Sequence, residues 1–312
     1  MSDSRATRPE PTAEADQGRI PFSRNTTSLQ AAPAAYPYRY VAHMAIKPTP
    51  ATIWKRPAYL PYVHAPLTDQ AIRKAEKTLG CTLPTAFLDV LRVQNGGPIR
   101  FRIPESVGDM IAGIGPSFPS ITIFDLKDCQ EYVDFSLDGL VPFDGDGHWY
   151  YCLDFRHNDK NPGVSHIDVE CNSEETVADS FSSFLSLMEL DIKREMAIKN
   201  VANLDDARVR LEKLFGSPFE QKVDNLGVPY LKCQTGKQWD QCFWITGNKV
   251  AHGYSGNDPS NFQFEGEALL FPELSPDAVI FEAPDDYIDS YCAILRDGGF
   301  VIVDIESLGQ AT

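Results

Sequence analysis

The chain has 312 residues, 43% of them hydrophobic, and its formal net charge at pH 7 is −16. This length predicts two domains, each able to bury a core. The acidic excess argues against nucleic acid and anionic membranes as partners, because both are bound first through Lys and Arg side chains. It is compatible with a basic protein partner; the alternative is that the acidity only keeps the protein soluble.

Seven cysteines are spread along the chain, and no two of them form a CxxC pair. This spacing favours reduced thiols over a disulfide framework or a structural zinc site. The first residues lack the basic and apolar regions of a signal peptide, and no apolar run approaches the roughly 20 residues of a membrane-spanning helix. We therefore predict a cytoplasmic protein that uses no metal ion and no other cofactor.

Residues 1–51 are predicted to form an extended or disordered arm. Seven prolines fall among Ser, Thr, Ala and Arg in this stretch, which prevents a helix or a central strand. Basic residues outnumber acidic ones by eight to four over residues 1–60, the reverse of the remaining chain. The alternative is therefore that the arm lies back on the acidic remainder.

Residues 52–195 are predicted to form a first domain, which opens with two short helices joined at Gly80-Cys81-Thr82-Leu83. The first helix has Thr68 as a suitable N-cap, and the second is expected to have Pro84 as its first residue. The apolar positions at helical spacing are Ile72, Ala75, Leu79, Phe87, Leu88 and Leu91. The run Asn95-Gly96-Gly97-Pro98 stops the second helix.

Residues 140–155 predict a hairpin in the middle of a sheet. Apolar residues alternate with others on both sides of Asp144-Gly145-Asp146-Gly147, and Asp-Gly steps between such runs are a strong hairpin signal. The residues expected in one core layer are Trp149, Tyr151, Leu153 and Phe155. Tyr150, Cys152 and Asp154 are then expected on the opposite face.

Three further elements are predicted around this hairpin. A strand is expected at residues 120–126 and another at residues 164–169. A helix is expected from about residue 174 to residue 193, because apolar residues from Val177 to Met188 fall on one stripe.

Residues 200–310 are predicted to form a second, smaller α+β domain. Its expected elements are a helix capped by Asn203, hairpin strands at residues 228–233 and 239–245, a strand at residues 278–281, a helix opened by Pro284 and a last strand at residues 300–305.

Several short motifs of the first domain together resemble the SUKH superfamily. The superfamily opens with a helix pair that reads AE-x-x-LG-x-x-LP and ends in NGG. This chain has the first part of the pattern from Ala75 to Pro84 and its NGG end at Asn95-Gly96-Gly97. Later pieces follow in the same order, namely Leu140-Val141-Pro142-Phe143 with Asp144-Gly145-Asp146-Gly147, then Tyr151-Cys152-Leu153-Asp154, residues 164–170, Ser180-Phe181 and Phe184-Leu185. The resemblance covers about residues 52–190 and leaves the arm and the second domain without a counterpart.

The resemblance implies a fold class and a kind of function. The expected fold is α+β, with helices packed against a mixed, mainly antiparallel sheet. Many members are bacterial immunity proteins that bind and neutralise a toxin, often a nuclease, while fungal relatives regulate cell-wall synthesis through protein contacts. The superfamily has no common catalytic residues that the resemblance would transfer.

Acidic residues in and before the hairpin are the candidate partner-binding residues. They are Asp125, Asp128, Glu131, Asp134, Asp138, Asp144 and Asp146, together with His148. Carboxylates at exposed loop tips suit a cationic partner, whereas the plainer interpretation is a hairpin turn beside a solvated acidic face. An EF-hand interpretation fails, because it requires an oxygen ligand where His148 stands and a Glu where Phe155 stands.

The sequence therefore predicts a non-enzymatic immunity protein that neutralises a basic toxin, such as a nuclease, by stoichiometric binding. The first alternative is a regulatory or scaffold protein of the SUKH type. The second is an enzyme with a site between the two domains, built from His157, His166 or His252 with nearby carboxylates. Spacing alone shows neither the hydrogen-bond reach nor the shifted pKa that acid–base catalysis needs.

Overall fold

The computed structural model describes residues 46–104, 106–191, 194–224, 226, 228–256, 262–263 and 268–310. They belong to one compact unit, Ala42–Thr312. Most of the predicted arm, residues 1–45, lies outside the described residues. The last residues of that arm contact the fold, since the Lys47 ammonium donates to the Met188 carbonyl at 3.1 Å. The division into domains at residues 195–200 stays a prediction.

Runs of consecutive strands separate most of the helices in the described part of the chain. Its α-helices are α1 (Asp69–Leu79), α2 (Thr85–Val93), α3 (Phe181–Leu187), α4 (Leu204–Phe215) and α5 (Asp285–Asp297). Short 3-10 helices span Leu60–Tyr62, Leu126–Tyr132 and Glu306–Gln310. Its strands are β1 (Ala58–Tyr59), β2 (Gly97–Pro98), β3 (Phe101–Arg102), β4 (Met110–Ile111), β5 (Leu140–Gly145), β6 (Trp149–Asp154), β7 (Gly163–Asp168), β8 (Ser173–Ala178), β9 (Glu189–Leu190), β10 (Met196–Ile198), β11 (Phe219–Val223), β12 (Pro229–Gln234), β13 (Cys242–Gly247), β14 (Lys249–Val250), β15 (Gly253–Tyr254), β16 (Phe262–Gln263), β17 (Ala268–Leu269), β18 (Val279–Glu282) and β19 (Ile302–Asp304).

Strands β5, β6, β7 and β8 form an antiparallel sheet in that order, which we call the N-terminal sheet. One face packs on α2 and α3 through an aromatic core in which Phe143 contacts Phe87, Phe181 and Phe184. The alternation predicted for the hairpin is confirmed, because Tyr151 and Leu153 face this core while Tyr150 and Cys152 belong to a separate cluster on the other face.

Strands β11, β12, β13, β18, β10 and β19 form a second antiparallel sheet, the C-terminal sheet. Helices α4 and α5 cover one face, with Leu211 and Leu295 in the same buried cluster as Phe243. On the other face, Phe271 and Leu274 cover only the part of the sheet around β10 and β18. The pairing of β1 with β15 is parallel. The fold is therefore α+β with mainly antiparallel sheets, as predicted.

Helix termini follow the capping signals in the sequence. The Thr68 hydroxyl accepts a hydrogen bond from the Ala71 amide at 3.2 Å, and the Asn203 side chain accepts one from the Asp206 amide at 3.0 Å. Both helices end at a glycine in the left-handed region, with φ of 74° at Gly80 and 66° at Gly216. Pro84 is the N-cap of α2 and not its first residue.

Two of the predicted elements are wrong. Residues 120–126 form a turn, in which the Ile123 amide donates to the Ser120 carbonyl at 2.9 Å, and then enter the 3-10 helix Leu126–Tyr132. The predicted helix from residue 174 begins only at Phe181, capped by Ser180. The preceding residues form β8, because their backbone groups pair with β7. Whether these residues form a helix or a strand depends on the strand beside them, and the helical periodicity of their own sequence does not reveal that strand.

A buried ion pair joins the two halves of the compact unit. The Arg100 guanidinium lies 2.9 Å from a Glu273 carboxylate oxygen, and the two side chains are only 7% and 18% exposed. Arg100 also stacks on the Phe101 and Phe271 rings. Together with the pairing of β1 and β15, this contact links the half of the unit that contains the N-terminal sheet to the half that contains the C-terminal sheet.

Candidate functional site

Residues 124–138, here called the cover segment, lie over the face of the N-terminal sheet opposite the helices. Leu126, Val133 and Leu137 are buried in one cluster with Tyr150 and Ile167. The acidic side chains of the segment are all exposed, namely Asp125, Asp128, Glu131, Asp134 and Asp138. The segment contains one basic residue, Lys127. The cover segment thus attaches by its apolar side chains and presents its carboxylates to solvent.

Polar side chains that the sequence did not single out hold the cover segment in place. The Gln130 amide group donates to the Phe135 carbonyl at 2.8 Å and accepts from the Leu137 amide at 3.0 Å. The Arg156 guanidinium, which follows β6, donates to the Ser136 carbonyl at 3.1 Å. These bonds satisfy the backbone of a segment that has no strand or α-helix of its own.

The same Arg156 is fixed by carboxylates on both sides. It forms two hydrogen bonds with the buried Asp154, at 3.0 and 2.7 Å, and an ion pair with Glu174 at 2.7 Å. The Ser165 hydroxyl donates to Asp154 at 2.8 Å. Burial would raise the pKa of Asp154, but the bonds from Arg156 and Ser165 outweigh it and hold that pKa below its ordinary value. A charged pair therefore fastens one end of the cover segment.

At the other end of the sheet, the β5–β6 turn and the β7–β8 turn lie together. His148 Nδ1 is 2.6 Å from a Glu170 carboxylate oxygen. Asn172 accepts a hydrogen bond from the Asp134 amide at 2.8 Å and donates one to the Asp134 carboxylate at 2.9 Å. The β7–β8 turn therefore brings the cover segment next to the hairpin turn. Glu170 and Asn172 join the candidate residues, although only tertiary contact identifies them.

Asp146 occupies the exposed turn that the sequence predicted. Its carboxylate accepts hydrogen bonds from the His148 amide at 2.9 Å and the Trp149 amide at 3.3 Å. Slight desolvation acts to raise the pKa of Asp146, but these two donors lower it below its ordinary value. The side chain thus stays ionised in a turn that it also helps to close.

The expectation that Asp144 lies at an exposed loop tip is wrong. This residue belongs to β5 and is only 3% exposed. Its carboxylate accepts from the backbone amides of Asp109, Met110 and Gly145 at 3.1, 3.3 and 2.8 Å. Burial raises the pKa of Asp144 to about 7 despite these donors. Asp144 therefore holds β4 against β5 and is not displayed to solvent.

Exposed apolar side chains occur in and just before the cover segment. Phe118 is 49% exposed, Ile123 42% and Tyr132 62%. The Phe118 ring also contacts Phe124, which packs on Tyr150 beneath the segment. Aromatic residues are enriched where proteins bind one another.

We call the exposed carboxylates of the cover segment, together with Asp146, His148 and Glu170, the acidic surface.

The three histidines of the enzyme alternative have different surroundings. His157 is exposed, His166 lies beside the Trp149 and Tyr151 rings, and His252 follows β14. Burial, and then the nearby Arg56, lower the pKa of His252. Among the residues that the structure describes, no three His, Cys, Asp or Glu side chains are grouped so as to hold a metal ion. None of the described helices has the length and apolar character needed to cross a bilayer.

Comparison with known protein families bears on this surface. Residues 66–187 match the model of the SMI1 / KNR4 family (SUKH-1). The matched segment contains α1, α2, the N-terminal sheet, α3 and the whole acidic surface. The resemblance to the SUKH superfamily is therefore confirmed over this segment. No curated protein matches the chain.

Proposed function

We propose that this chain is a non-enzymatic, cytoplasmic immunity protein that binds a basic toxin domain through its acidic surface and neutralises it stoichiometrically. The observation that carries the proposal is the cover segment, whose five acidic side chains are all exposed while Leu126, Val133 and Leu137 are buried against the sheet. Proteins with SUKH domains generally act through contacts with other proteins.

Electrostatic complementarity supports a cationic partner. Opposite charges on two proteins raise the rate of association and disfavour partners of like charge. Within the cover segment Lys127 is the sole cation, and its ammonium is 3.9 Å from a carboxylate oxygen of Asp138 in a largely exposed pair. Five carboxylates against one ammonium leave the segment with a formal net charge of −4.

The composition of the surface also resembles that of a protein interface. Interfaces combine aromatic anchors near the centre with a charged rim, and Tyr132 is 62% exposed beside Glu131. A hydrogen bond to the Glu131 carboxylate raises the pKa of the Tyr132 hydroxyl. Because the segment is fixed by Gln130 and Arg156, binding would require little additional ordering.

The experiment begins with capture of the partner from the source cell on the immobilised chain, and continues with the purified partner. We expect a basic protein that binds at one-to-one stoichiometry in calorimetry and loses its toxic activity in proportion to the chain added. The rate of association should fall steeply with salt, because exposed charges are screened over about 8–10 Å at ordinary ionic strength. A partner that is bound but stays fully active would favour the regulatory or scaffold alternative.

A pair of charge-reversal variants tests the surface itself. Asp128→Lys with Glu131→Lys should weaken binding at least about tenfold, because two attractive contacts become repulsive. The matched control is Asp277→Lys with Asp297→Lys, which makes the same change in net charge at exposed positions of the C-terminal half. Equal loss of affinity in both variants would show that net charge alone matters and would contradict the assignment of the surface.

A further inference from the structure

The edge of the C-terminal sheet carries a feature that the proposed function does not use. Strand β11 lies at the end of the strand order and pairs, among the described residues, with β12 alone. Its five residues are arranged symmetrically about Gln221. One charged side chain and then one apolar side chain follow on each side, namely Glu220 and Phe219 before it and Lys222 and Val223 after it. An edge strand offers a row of backbone donors and acceptors that another strand can use.

Successive side chains of a strand point to opposite faces, so β11 has two different sides. Phe219 lies on the helix-covered face, where its ring contacts Phe243. Val223 shares that face by alternation and is 54% exposed. Glu220 and Lys222 lie on the opposite face, and the Lys222 ammonium is 2.7 Å from a Glu220 carboxylate oxygen.

This pattern is complementary to itself. If two copies of β11 pair antiparallel about a two-fold axis through Gln221, each Glu220 lies opposite Lys222 of the second copy. In the same register each Val223 lies opposite Phe219 of the second copy, on the helix-covered face. Oppositely charged and apolar residues directly across two strands stabilise the pair, and a two-fold interface requires such a self-matching patch.

We propose that β11 is a homodimer interface, in which two C-terminal sheets join edge to edge into one continuous antiparallel sheet. The neighbouring strand extends the pattern, because Lys232 of β12 lies opposite Glu220 within the same chain. Each Glu220 would then lie between two lysines, one from its own chain and one from the second copy. A shallow cavity of about 320 Å³ is lined in part by the same three charged residues, Glu220, Lys222 and Lys232.

The charge pattern favours a second copy over an unrelated partner. A uniformly basic strand would meet Glu220 favourably but would repel Lys222, and a uniformly acidic strand would do the reverse. A second copy satisfies both residues in one register. The interface lies outside the residues matched to the SUKH-1 family and outside the acidic surface, so its test is independent of the proposed function.

The test uses the full chain and charge reversal, with the oligomeric state measured by sedimentation equilibrium. The wild type should approach about 69 kDa, twice its mass of 34.7 kDa. The variants Glu220→Lys and Lys222→Glu should each weaken the dimer at least about tenfold, which corresponds to about 1.4 kcal/mol, because like charges then lie opposite each other. Both positions are on the surface of an edge strand, and circular dichroism checks that the variants fold.

Two combinations of these variants test the register in which the two copies of β11 pair. An equimolar mixture of the two single variants should form a heterodimer, because every reversed charge then faces its opposite. The double variant E220K/K222E should recover most of the homodimer, because each reversed charge again faces its opposite across the two chains, although the lysine introduced at position 220 then faces Lys232 of its own chain. A wild type that stays monomeric at about 100 µM, well above an ordinary micromolar dissociation constant, overturns the proposal. Single variants that remain dimeric, or a mixture and a double variant that do not recover, overturn it as well.

Discussion

The two sheets are covered in different ways. Strands β5, β6 and β7 of the N-terminal sheet are covered on both faces, by α2 and α3 on one side and by the cover segment on the other, while most of the edge strand β8 is exposed. The C-terminal sheet is covered by α4 and α5 on one face but only partly by Phe271 and Leu274 on the other. The N-terminal sheet therefore carries its candidate residues on the cover segment and the turns, whereas the C-terminal sheet leaves part of one face uncovered; each sheet keeps an exposed edge strand, β8 in the first and β11 in the second.

The contact between the halves should give the largest loss of stability. Replacing Glu273 with Ala leaves the buried Arg100 without its counter-charge, since the two groups are 2.9 Å apart. We expect the free energy of unfolding in urea to fall by about 3–5 kcal/mol, the usual cost of removing one partner of a buried ion pair.

The control for this variant is the exposed pair of Arg102 and Asp191, whose charged groups are 3.0 Å apart. Asp191→Ala should cost about 1 kcal/mol or less, because exposed ion pairs contribute little. A loss in E273A no greater than in D191A would show that the buried pair does not link the two halves energetically.

Asp144 and Asp146 of the hairpin should affect the pH dependence of stability in opposite directions. The pKa of Asp144 rises to about 7 in the folded state, against an ordinary value near 3.9. Between about pH 4 and pH 7, Asp144 therefore keeps its proton in the folded state but has lost it in the unfolded state. This protonation stabilises the fold most at low pH, and its contribution to stability is lost as the pH rises through 7. It amounts to at most about 4 kcal/mol, at about 1.4 kcal/mol per pH unit.

Asp144→Asn should remove this decline, as measured by urea unfolding at a series of pH values. Asp146→Asn is the matched control with the opposite sign, because the pKa of Asp146 lies below its ordinary value. Its contribution is present at neutral pH and is lost as the pH falls through the folded pKa. Identical pH profiles for the wild type and D144N would contradict the burial of an ionisable Asp144.

Removing a helix cap should give the smallest loss of stability. One such cap lies in each half, so the two losses can be compared directly. Thr68→Ala removes the cap of α1 and Asn203→Ala that of α4, and each should lower the free energy of unfolding by about 1 kcal/mol. Because the Arg100–Glu273 pair joins the halves, we expect one transition and additive losses in the double variant. Thr68→Ser, which keeps the hydroxyl, is the control. Two transitions, each moved by one cap only, would instead show independent domains.

Local patterns in the sequence predicted most of the elements because those elements depend on nearby residues. The caps at Thr68 and Asn203, the glycines that end α1 and α4, and the alternation of β6 all act within a few positions of the chain. The wrong predictions have a common cause. Residues 173–178 form a strand because β7 lies beside them, whereas residues 120–126 make only a single bridge, between Ser120 and Gly113, and then turn.

For the acidic surface, sequence alone determined which residues carry the charge, since the carboxylates of the cover segment are written in order along the chain. Only the tertiary structure decided which of them face solvent. Asp144 and Asp146 stand two positions apart in the same Asp-Gly run, yet one is buried under three backbone donors and the other lies in an exposed turn. Glu170 and Asn172 reach the surface through the β7–β8 turn. Exposure is a property of the packed chain, and the groups that bury or reveal a carboxylate come from positions far along the sequence.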